Sequence, residues 1–255
     1  MKIVAIANQK GGVGKTTTAV NLAVCLAELE EPTLLVDLDP QANVLSALGQ
    51  QAAPGASLYP VLLGAKSMAE QIQPTAFPHL RYIPAEMDLA GCEIEIARQP
   101  DHLLRLRRVM EDYRRSGDVR HVILDCPPSL GILMTNALAA ADSVIVPLQC
   151  EYFALEGLTK IMEVIEQIKI SSGNQVLKIE GILMTMYDAR TNLSQQVVKD
   201  VREHLGDLAF QTIIPRSIRL GESPSHGKPI IQYDPAGVGA ASYRALAKEY
   251  LARQG

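Results

Sequence analysis

The sequence contains no tryptophan and few other aromatic residues, with three phenylalanines and eight tyrosines among 255 residues. A core built from this chain must therefore consist mainly of valine, isoleucine, leucine and alanine. Hydrophobic residues make up 47% of the chain and charged residues 20%, which are ordinary values for a globular protein with a sizeable core. The length suits one large α/β domain or two small ones.

Cysteine motifs and long apolar runs are also missing. The four cysteines form no C-x-x-C pair and show no zinc-finger spacing, which excludes a cysteine-based metal finger or redox motif. No uncharged apolar run reaches the roughly 20 residues that a membrane-spanning helix needs. Residues 1–8 have the pattern of a strand rather than of a signal peptide. We therefore expect a cytoplasmic protein with reduced cysteines.

Positive charge is not in excess, because the formal net charge is −4 at pH 7. This value excludes a protein that is basic over its whole surface. A local basic patch remains open, since nucleic-acid binding depends on the clustering of charges rather than on their total.

What the sequence has is a regular alternation of short apolar runs and longer helical patterns. The apolar runs predict strands at 2–7, 32–39, 80–85, 121–128, 143–149, 178–187 and 210–215. Amphipathic patterns predict helices at 16–29, 100–115, 132–141, 154–170, 193–205 and 236–253. This order predicts one α/β domain over residues 1–255, with a mostly parallel twisted sheet and helices on both faces.

A glycine-rich segment, "ANQKGGVGKTTT", joins the first strand to the first helix. That position is the one a phosphate-binding loop requires, because backbone N–H groups and the helix dipole then point at an anion. A dinucleotide site is the weaker interpretation, since the third glycine of its motif is absent. The loop departs from the usual pattern by having Gln9 for the first glycine and a second lysine. The predicted nucleotide-binding residues here are Lys10, Gly11, Gly12, Val13, Gly14, Lys15, Thr16 and Thr17.

Three aspartates follow predicted strands and are candidates for holding magnesium. Asp37 and Asp39 end the second strand, and Asp125 ends a later one in the form of a Walker B carboxylate. Ligands of open α/β sheets gather at the carboxyl ends of the strands, so we expect these acids to converge on the loop. Together with the hydroxyl of Thr16, they predict a magnesium site.

Six segments resemble, in order and spacing, the ParA/Soj family of chromosome- and plasmid-partitioning ATPases, which have a deviant Walker A loop. These segments are "KGGVGKTTT", "LLVDLDPQAN", "ILDCPPSLG", "VPLQCEYFALEGL", "MYDARTNLSQQV" and "IPRSIRLGESPSHGKPI". The loop alone would also match MinD and the nitrogenase iron protein. The later motifs narrow the resemblance to the ParA/Soj family. Because the chain begins at the first strand, it resembles the small form of the family, which lacks an N-terminal helix-turn-helix. We therefore do not expect an operator-specific repressor.

The resemblance implies a P-loop NTPase that binds ATP and Mg²⁺ and works as an ATP-sandwich homodimer. Lys10 matches the signature lysine that reaches the phosphates bound by the other subunit, and Asp39 matches the residue that orients the attacking water. The implied sets are catalytic Lys10, Lys15 and Asp39; metal-binding Thr16, Asp37, Asp39 and Asp125; adenine-adjacent Pro215 and Arg216; and dimer-forming Lys10, Gly12, Glu151, Tyr152 and Phe153.

The resemblance further implies that the ATP dimer binds DNA without sequence preference and is associated with the nucleoid. The matching basic residues are Arg190, Arg219 and Lys228. Without the resemblance, these residues would be ordinary solvated surface charges. A ParB-type centromere-binding partner is expected to stimulate hydrolysis, which should be slow alone because no arginine finger is evident in cis.

Three alternatives stay open from the sequence. A ParA-like ATPase could position a protein cargo on the nucleoid, a MinD-like ATPase could cycle on and off a membrane, and a regulatory module could bind ATP without hydrolysing it. The C-terminal segment "SYRALAKEYLARQG" has small apolar residues at helical spacing. It therefore predicts a helix docked on the core, and we expect no membrane binding.

Overall fold

Seven strands form one sheet in the computed structural model, which describes residues 1–116 and 118–254 apart from the side chains of Cys92 and Ser116. The strands are β1 (Lys2–Ile6), β2 (Thr33–Asp37), β3 (Gln73–Pro74), β4 (Leu80–Ile83), β5 (His121–Asp125), β6 (Ser143–Gln149) and β7 (Lys178–Thr185). Their order across the sheet is β3-β4-β2-β5-β1-β6-β7. Every neighbouring pair is parallel except β3 and β4. The predicted α/β fold with a mostly parallel sheet is confirmed.

Eleven α-helices connect and cover the described strands. They are α1 (Lys15–Glu28), α2 (Asn43–Leu48), α3 (Tyr59–Leu62), α4 (Leu89–Ala97), α5 (Arg105–Ser116), α6 (Ile132–Ala140), α7 (Ala154–Ser171), α8 (Asn192–Leu205), α9 (Ile218–Glu222), α10 (Ile230–Tyr233) and α11 (Val238–Ala252). Three short 3₁₀ turns complete the chain at Ala69–Gln71, Gly206–Leu208 and Ser223–His226. No helix of the described chain is both long enough and apolar enough to cross a membrane.

The sheet is buried on both faces, and each face has its own aliphatic core. In β1, Ile3 and Ala5 pack into the cluster that includes side chains of α3 to α8, whereas Val4 and Ile6 pack into the cluster with α1, α2 and α9 to α11. All five residues of β2 and of β5 are buried. A strand covered on both faces needs a continuous apolar run, which explains the strand patterns of the sequence.

The prediction of a strand at 210–215 was wrong. This segment runs beside β7 but makes only isolated bridges, with Ala209 opposite Ile182 and Pro215 opposite Tyr187. The amide groups of Gln211 and Thr212 donate instead to the carboxylate of Glu249 on α11, at 2.7 and 2.8 Å. These two backbone amides therefore bond to a helix side chain and cannot donate to a neighbouring strand, so no continuous ladder forms.

Other elements differ from their predicted bounds or were not predicted. The helix predicted at 100–115 begins only at Arg105. The two-residue strand β3 and the helices α2, α3, α4, α9 and α10 carried no clear periodic signal, since all but α4 have six residues or fewer. Most of these short elements lie in the long connections that surround the carboxyl edge of the sheet.

Candidate nucleotide site

The glycine-rich loop connects β1 to α1 at the carboxyl edge of the sheet. Gly12 and Gly14 have φ values of 74° and 89°, which side chains with a Cβ rarely adopt. Gly14 is also the N-cap of α1, so the loop ends directly at the positive end of the helix dipole. These glycines give the backbone the curvature of an anion-binding loop.

Two neighbouring strands fix the position of this loop. The Asn8 side chain donates to the Pro147 carbonyl at 2.8 Å and accepts the Lys10 amide at 3.0 Å. The hydroxyl of Thr185, the last residue of β7, donates to the Val13 carbonyl at 2.9 Å. The loop is therefore fixed from β6 and from β7 before any ligand contacts it. Asn8 is a positioning residue that the sequence analysis missed.

Lys15 lies at the base of the loop and is buried, with 7% of its surface exposed. Its Nζ donates to the Lys10 carbonyl at 2.9 Å. Burial lowers the pKa of Lys15, while the negative charge of Asp125 opposes the shift. A buried ammonium at the start of a helix adds to the dipole and to the loop amides as a third source of positive potential.

Asp37 and Asp125 are adjacent residues in the pairing of β2 with β5, and both are fully buried. The Asp37 carboxylate accepts the backbone amides of Asp39 and Val44 at 2.9 and 3.3 Å. Among the described residues, no hydrogen bond of good geometry reaches either oxygen of Asp125, and only the nearby Thr16 hydroxyl favours its charged form as a donor. Two acids placed together in a water-poor site need a cation or a shared proton.

The pKa values of these acids follow from that environment. Burial raises the pKa of Asp125 to about 7, and Asp39 adds to the rise, whereas the Thr16 hydroxyl and the Lys15 ammonium oppose it. Burial, followed by the charge of Asp125, raises the pKa of Asp37 well above its usual range. A bound divalent cation would stabilise both carboxylates in their charged form and so oppose both shifts, which is why the acids fit the predicted magnesium site.

Asp39 lies beyond the end of β2, in a turn where its carboxylate accepts the Gln41 amide at 3.0 Å. It lines a cavity of about 380 Å³ together with Lys15, Thr16 and Pro128. In the described part of the chain, no three His, Cys, Asp or Glu side chains form a closed metal cluster. Magnesium bound with phosphates needs only one or two carboxylates, so an open arrangement fits it.

A second cavity of about 220 Å³ lies next to this one and shares Gly14, Thr17 and Met186 with it. Its lining is mostly apolar and includes the predicted Pro215 and Arg216. The other walls of this cavity were not predicted, and they are Thr185, Met186, Ile214, Ser217, Leu220, Gly221 and Tyr243. Met186 directly follows β7, so the rule that ligands gather at strand ends would have found it. A mostly apolar cavity beside an anion-binding loop is the arrangement that a nucleotide site needs.

The rim of the site carries exposed residues that were predicted as dimer contacts. The side chain of Lys10 is 45% exposed and forms an ion pair with Glu151 of the same chain. Tyr152 and Phe153 are 79% and 62% exposed, and their rings pack edge to face at 5.1 Å. Leu130 adds a further exposed apolar side chain. Gly12 is exposed as well.

The predicted DNA-binding residues fall into two places. Arg190 and Arg219 line one groove of about 970 Å³, together with Arg216 and the exposed Ile218. Lys228 instead lines a separate cavity with Thr16 and Thr17, between α1 and the segment after α9. The structure therefore groups the two predicted arginines with Arg216 but does not bring Lys228 to them.

Comparison with known proteins gives consistent similarities over the whole chain. A family model described as an AAA domain matches residues 1–179. The chromosome partitioning protein ParA of Caulobacter vibrioides is 48% identical over 255 residues, covering 100% of this chain and 95% of that protein. The chromosome-partitioning ATPase Soj of Treponema pallidum is 47% identical over 254 residues, covering 100% and 98%.

A solved structure is also similar to this chain over its whole length. Cobyrinic acid a,c-diamide synthase from Mycobacterium smegmatis, with bound ADP and magnesium, has a TM-score of 0.85 and 35% identity, covering 100% of this chain and 95% of that one. Its ligands are the kind that the loop, the paired acids and the apolar cavity described above fit. From the site and these relatives together, the chain belongs to the ParA/Soj family of chromosome-partitioning ATPases.

Proposed function

We propose that this protein is a Mg-ATP-dependent dimerising ATPase whose ATP dimer binds double-stranded DNA without sequence preference. With a ParB-type partner, it would segregate a chromosome or plasmid on the nucleoid. The observation that carries this proposal is the second lysine of the loop, Lys10, exposed at the rim of the site beside exposed aromatic residues. An ammonium in that place can serve a second copy of the site.

Each residue of the site has a task in this proposal. The loop amides, Lys15 and the positive end of α1 bind the phosphates, and Thr16 with Asp125 would hold the magnesium. Bound magnesium supplies positive charge to the phosphate oxygens. Asp37 orders the turn that carries Asp39, because its carboxylate accepts the Asp39 amide. Asp39 faces the cavity and orients the attacking water.

The dimer is proposed to form through the rim. Tyr152 and Phe153 expose apolar surface directly after Glu151, the ion-pair partner of Lys10, and Leu130 is exposed two residues after Pro128 of the site. Exposed aromatic side chains grouped beside a binding site favour an interface. In the dimer, Lys10 would leave Glu151 for the phosphates of the other subunit and stabilise charge that develops in hydrolysis. Hydrolysis by the isolated protein is therefore weak, and the partner would stimulate it.

DNA binding is proposed for the groove of Arg190, Arg216 and Arg219. This groove shares Pro215 and Arg216 with the apolar cavity of the nucleotide site. A nucleotide base in that cavity would thus contact the wall of the groove. Dimerisation doubles the number of arginines, and non-specific affinity rises steeply with the number of phosphate contacts.

Two of the three alternatives that the sequence left open differ in their support. A membrane-cycling role is disfavoured, because Tyr243, Leu246, Ala247 and Tyr250 of α11 are buried in the core. A ParA-like ATPase that positions a protein cargo would use the same nucleotide and DNA cycle. The identity of the stimulating partner separates that cargo role from segregation.

The test combines a gel shift on non-specific duplex DNA with sizing of the same samples in ATP, in ADP and without nucleotide. We expect a dimer and a DNA shift only with ATP. Arg219→Glu should reduce DNA affinity at least tenfold while the ATP-dependent dimer persists, because Arg219 is exposed in the groove. Arg115→Glu is the matched control, since Arg115 is 82% exposed on α5. Equal DNA binding in ATP and ADP, or no size change with ATP, would contradict the proposal.

A further inference from the structure

One carboxylate lies among the three arginines of the groove. Asp188 lines the same groove as Arg190, Arg216 and Arg219. Its Oδ1 accepts Arg190 Nε at 2.9 Å and its Oδ2 accepts Arg190 Nη2 at 2.7 Å. This is the parallel two-bond arrangement in which arginine binds carboxylates and phosphates alike. Asp188 therefore occupies the face of Arg190 that a phosphate would use.

The charges around Asp188 keep this pair ionised. Hydrogen bonds from Arg190, with the charge of Arg216 in addition, lower the pKa of Asp188 far below its usual range. The Arg190 side chain is 88% exposed and that of Asp188 only 18%. The groove thus carries three positive charges and one negative charge, which lies against the exposed Arg190.

We propose that Asp188 is an intramolecular counterion that competes with DNA phosphates for Arg190, and so limits the affinity of the ATP dimer for DNA. This inference rests on the proposed function, because it assigns a regulator to the same DNA-binding groove. An arginine already neutralised by a carboxylate releases fewer counterions when it meets a phosphate. The carboxylate also repels the phosphate itself. A protein that must leave DNA in each cycle benefits from a limited affinity.

Asp188 also has a local structural role, which decides the choice of variant. Its Oδ1 accepts the backbone amide of Arg190 at 3.0 Å, and its carbonyl accepts the amide of Thr191 at 3.1 Å. Thr191 is the N-cap of α8. Asparagine can keep the side-chain bond to the Arg190 amide, whereas alanine cannot. Asp188→Asn therefore removes the charge and preserves the turn.

The experiment measures DNA affinity with ATP over a range of salt concentrations for wild type and Asp188→Asn. We expect the variant to bind non-specific duplex DNA several-fold more tightly, with a log–log salt slope steeper by about one. Asp112→Asn on α5 is the matched control, because it removes the same charge from a side chain that is 79% exposed. This control should leave both affinity and slope unchanged. In an Arg190→Ala background, the gain from Asp188→Asn should shrink.

The outcomes separate this inference from the proposed function. If wild type binds DNA with ATP but Asp188→Asn binds equally or less tightly, with its unfolding temperature preserved, Asp188 orients Arg190 rather than competing for it. The inference is then overturned and the proposed function stands. If neither protein binds DNA in any nucleotide state, the proposed function itself fails. A gain that persists fully in the Arg190→Ala background would also overturn the inference.

Discussion

Lys10 and Lys15 lie five residues apart in one loop but in opposite environments. Lys15 is 7% exposed and points inward, whereas the Lys10 side chain is 45% exposed at the rim. The Lys10 main chain is nevertheless fixed, because Asn8 accepts its amide and Lys15 donates to its carbonyl. Its side chain is thus a partly exposed charge on a fixed main chain, and it pairs with the partly exposed Glu151. Such a surface ion pair contributes little to stability and is easily exchanged for another anion.

Replacing Lys10 with alanine should separate nucleotide binding from turnover. We expect ATP affinity of the monomer to stay within about twofold, because the buried Lys15 and the loop amides hold the phosphates. Hydrolysis should fall about 100-fold, the usual effect of removing one charged donor from a developing negative charge. Binding is measured with a fluorescent ATP analogue and turnover by phosphate release. Lys66→Ala is the control, because Lys66 is exposed and its Nζ donates to the Gly55 carbonyl at 3.3 Å. Unchanged turnover in Lys10→Ala would disprove a role for this lysine in hydrolysis.

At the scale of elements, the connection after α8 shows how a helix side chain can accept the hydrogen bonds that a neighbouring strand would otherwise accept. The segment 209–215 contacts β7 through Phe210, whose amide donates to the Ile182 carbonyl at 3.0 Å. Phe210 is fully buried, and the guanidinium of Arg253 lies 4.1 Å above its ring. The ring lies directly over Gly181 of β7. A Cβ at position 181 would come within 2.4 Å of the Phe210 ring.

Gly181→Ala should therefore destabilise the protein, even though alanine is otherwise tolerated in strands. Overpacking of this kind typically costs about 1–3 kcal/mol, and the free energy of unfolding in urea measures it. Gly157→Ala is the matched control, because a Cβ at this position within α7 meets no atom within 4 Å. We expect it to stabilise the protein by about 0.5–1 kcal/mol, since alanine is the better helix former. A neutral Gly181→Ala would show that Phe210 and Arg253 move aside at little cost.

These elements also show what the sequence could predict. The buried strands and the long amphipathic helices were predictable, because continuous apolar runs and 3.6-residue periodicity arise directly from burial. The loop glycines, Lys15 and the three aspartates were predictable because motif spacing and strand ends place them at one edge. The mostly apolar cavity of the nucleotide site could not be predicted, because its walls Ile214 and Leu220 come from segments whose positions depend on tertiary contacts. The counterion Asp188 was missed for the same reason: its partner groove exists only when two distant connections meet.

On the scale of the whole molecule, the carboxyl ends and the amino ends of the parallel strands have different roles. The carboxyl edge carries the nucleotide site, whereas the opposite edge is closed by a buried polar network. His121, the first residue of β5, contacts the Tyr250 hydroxyl through Nδ1 at 3.1 Å and Glu31 through Nε2 at 3.5 Å. Tyr250 lies on α11, so this network ties the C-terminal helix to the sheet. The positive charges of Arg120 and of the N-terminus also act on His121.

This network predicts a loss of stability on acidification. Burial lowers the pKa of His121 below 6.5, and Glu31 only partly opposes this shift. Below pH 6.5 the unfolded chain therefore binds a proton that the folded protein does not, so the free energy of unfolding falls as the pH drops through that value. Urea unfolding at pH 7.5 and 5.5 measures the fall. His121→Gln should be less stable than wild type at pH 7.5 but should lose less stability between the two pH values. His204→Gln, at an exposed histidine on α8, should keep the wild-type pH dependence. An equal fall in His121→Gln and wild type would assign the acid sensitivity to other groups.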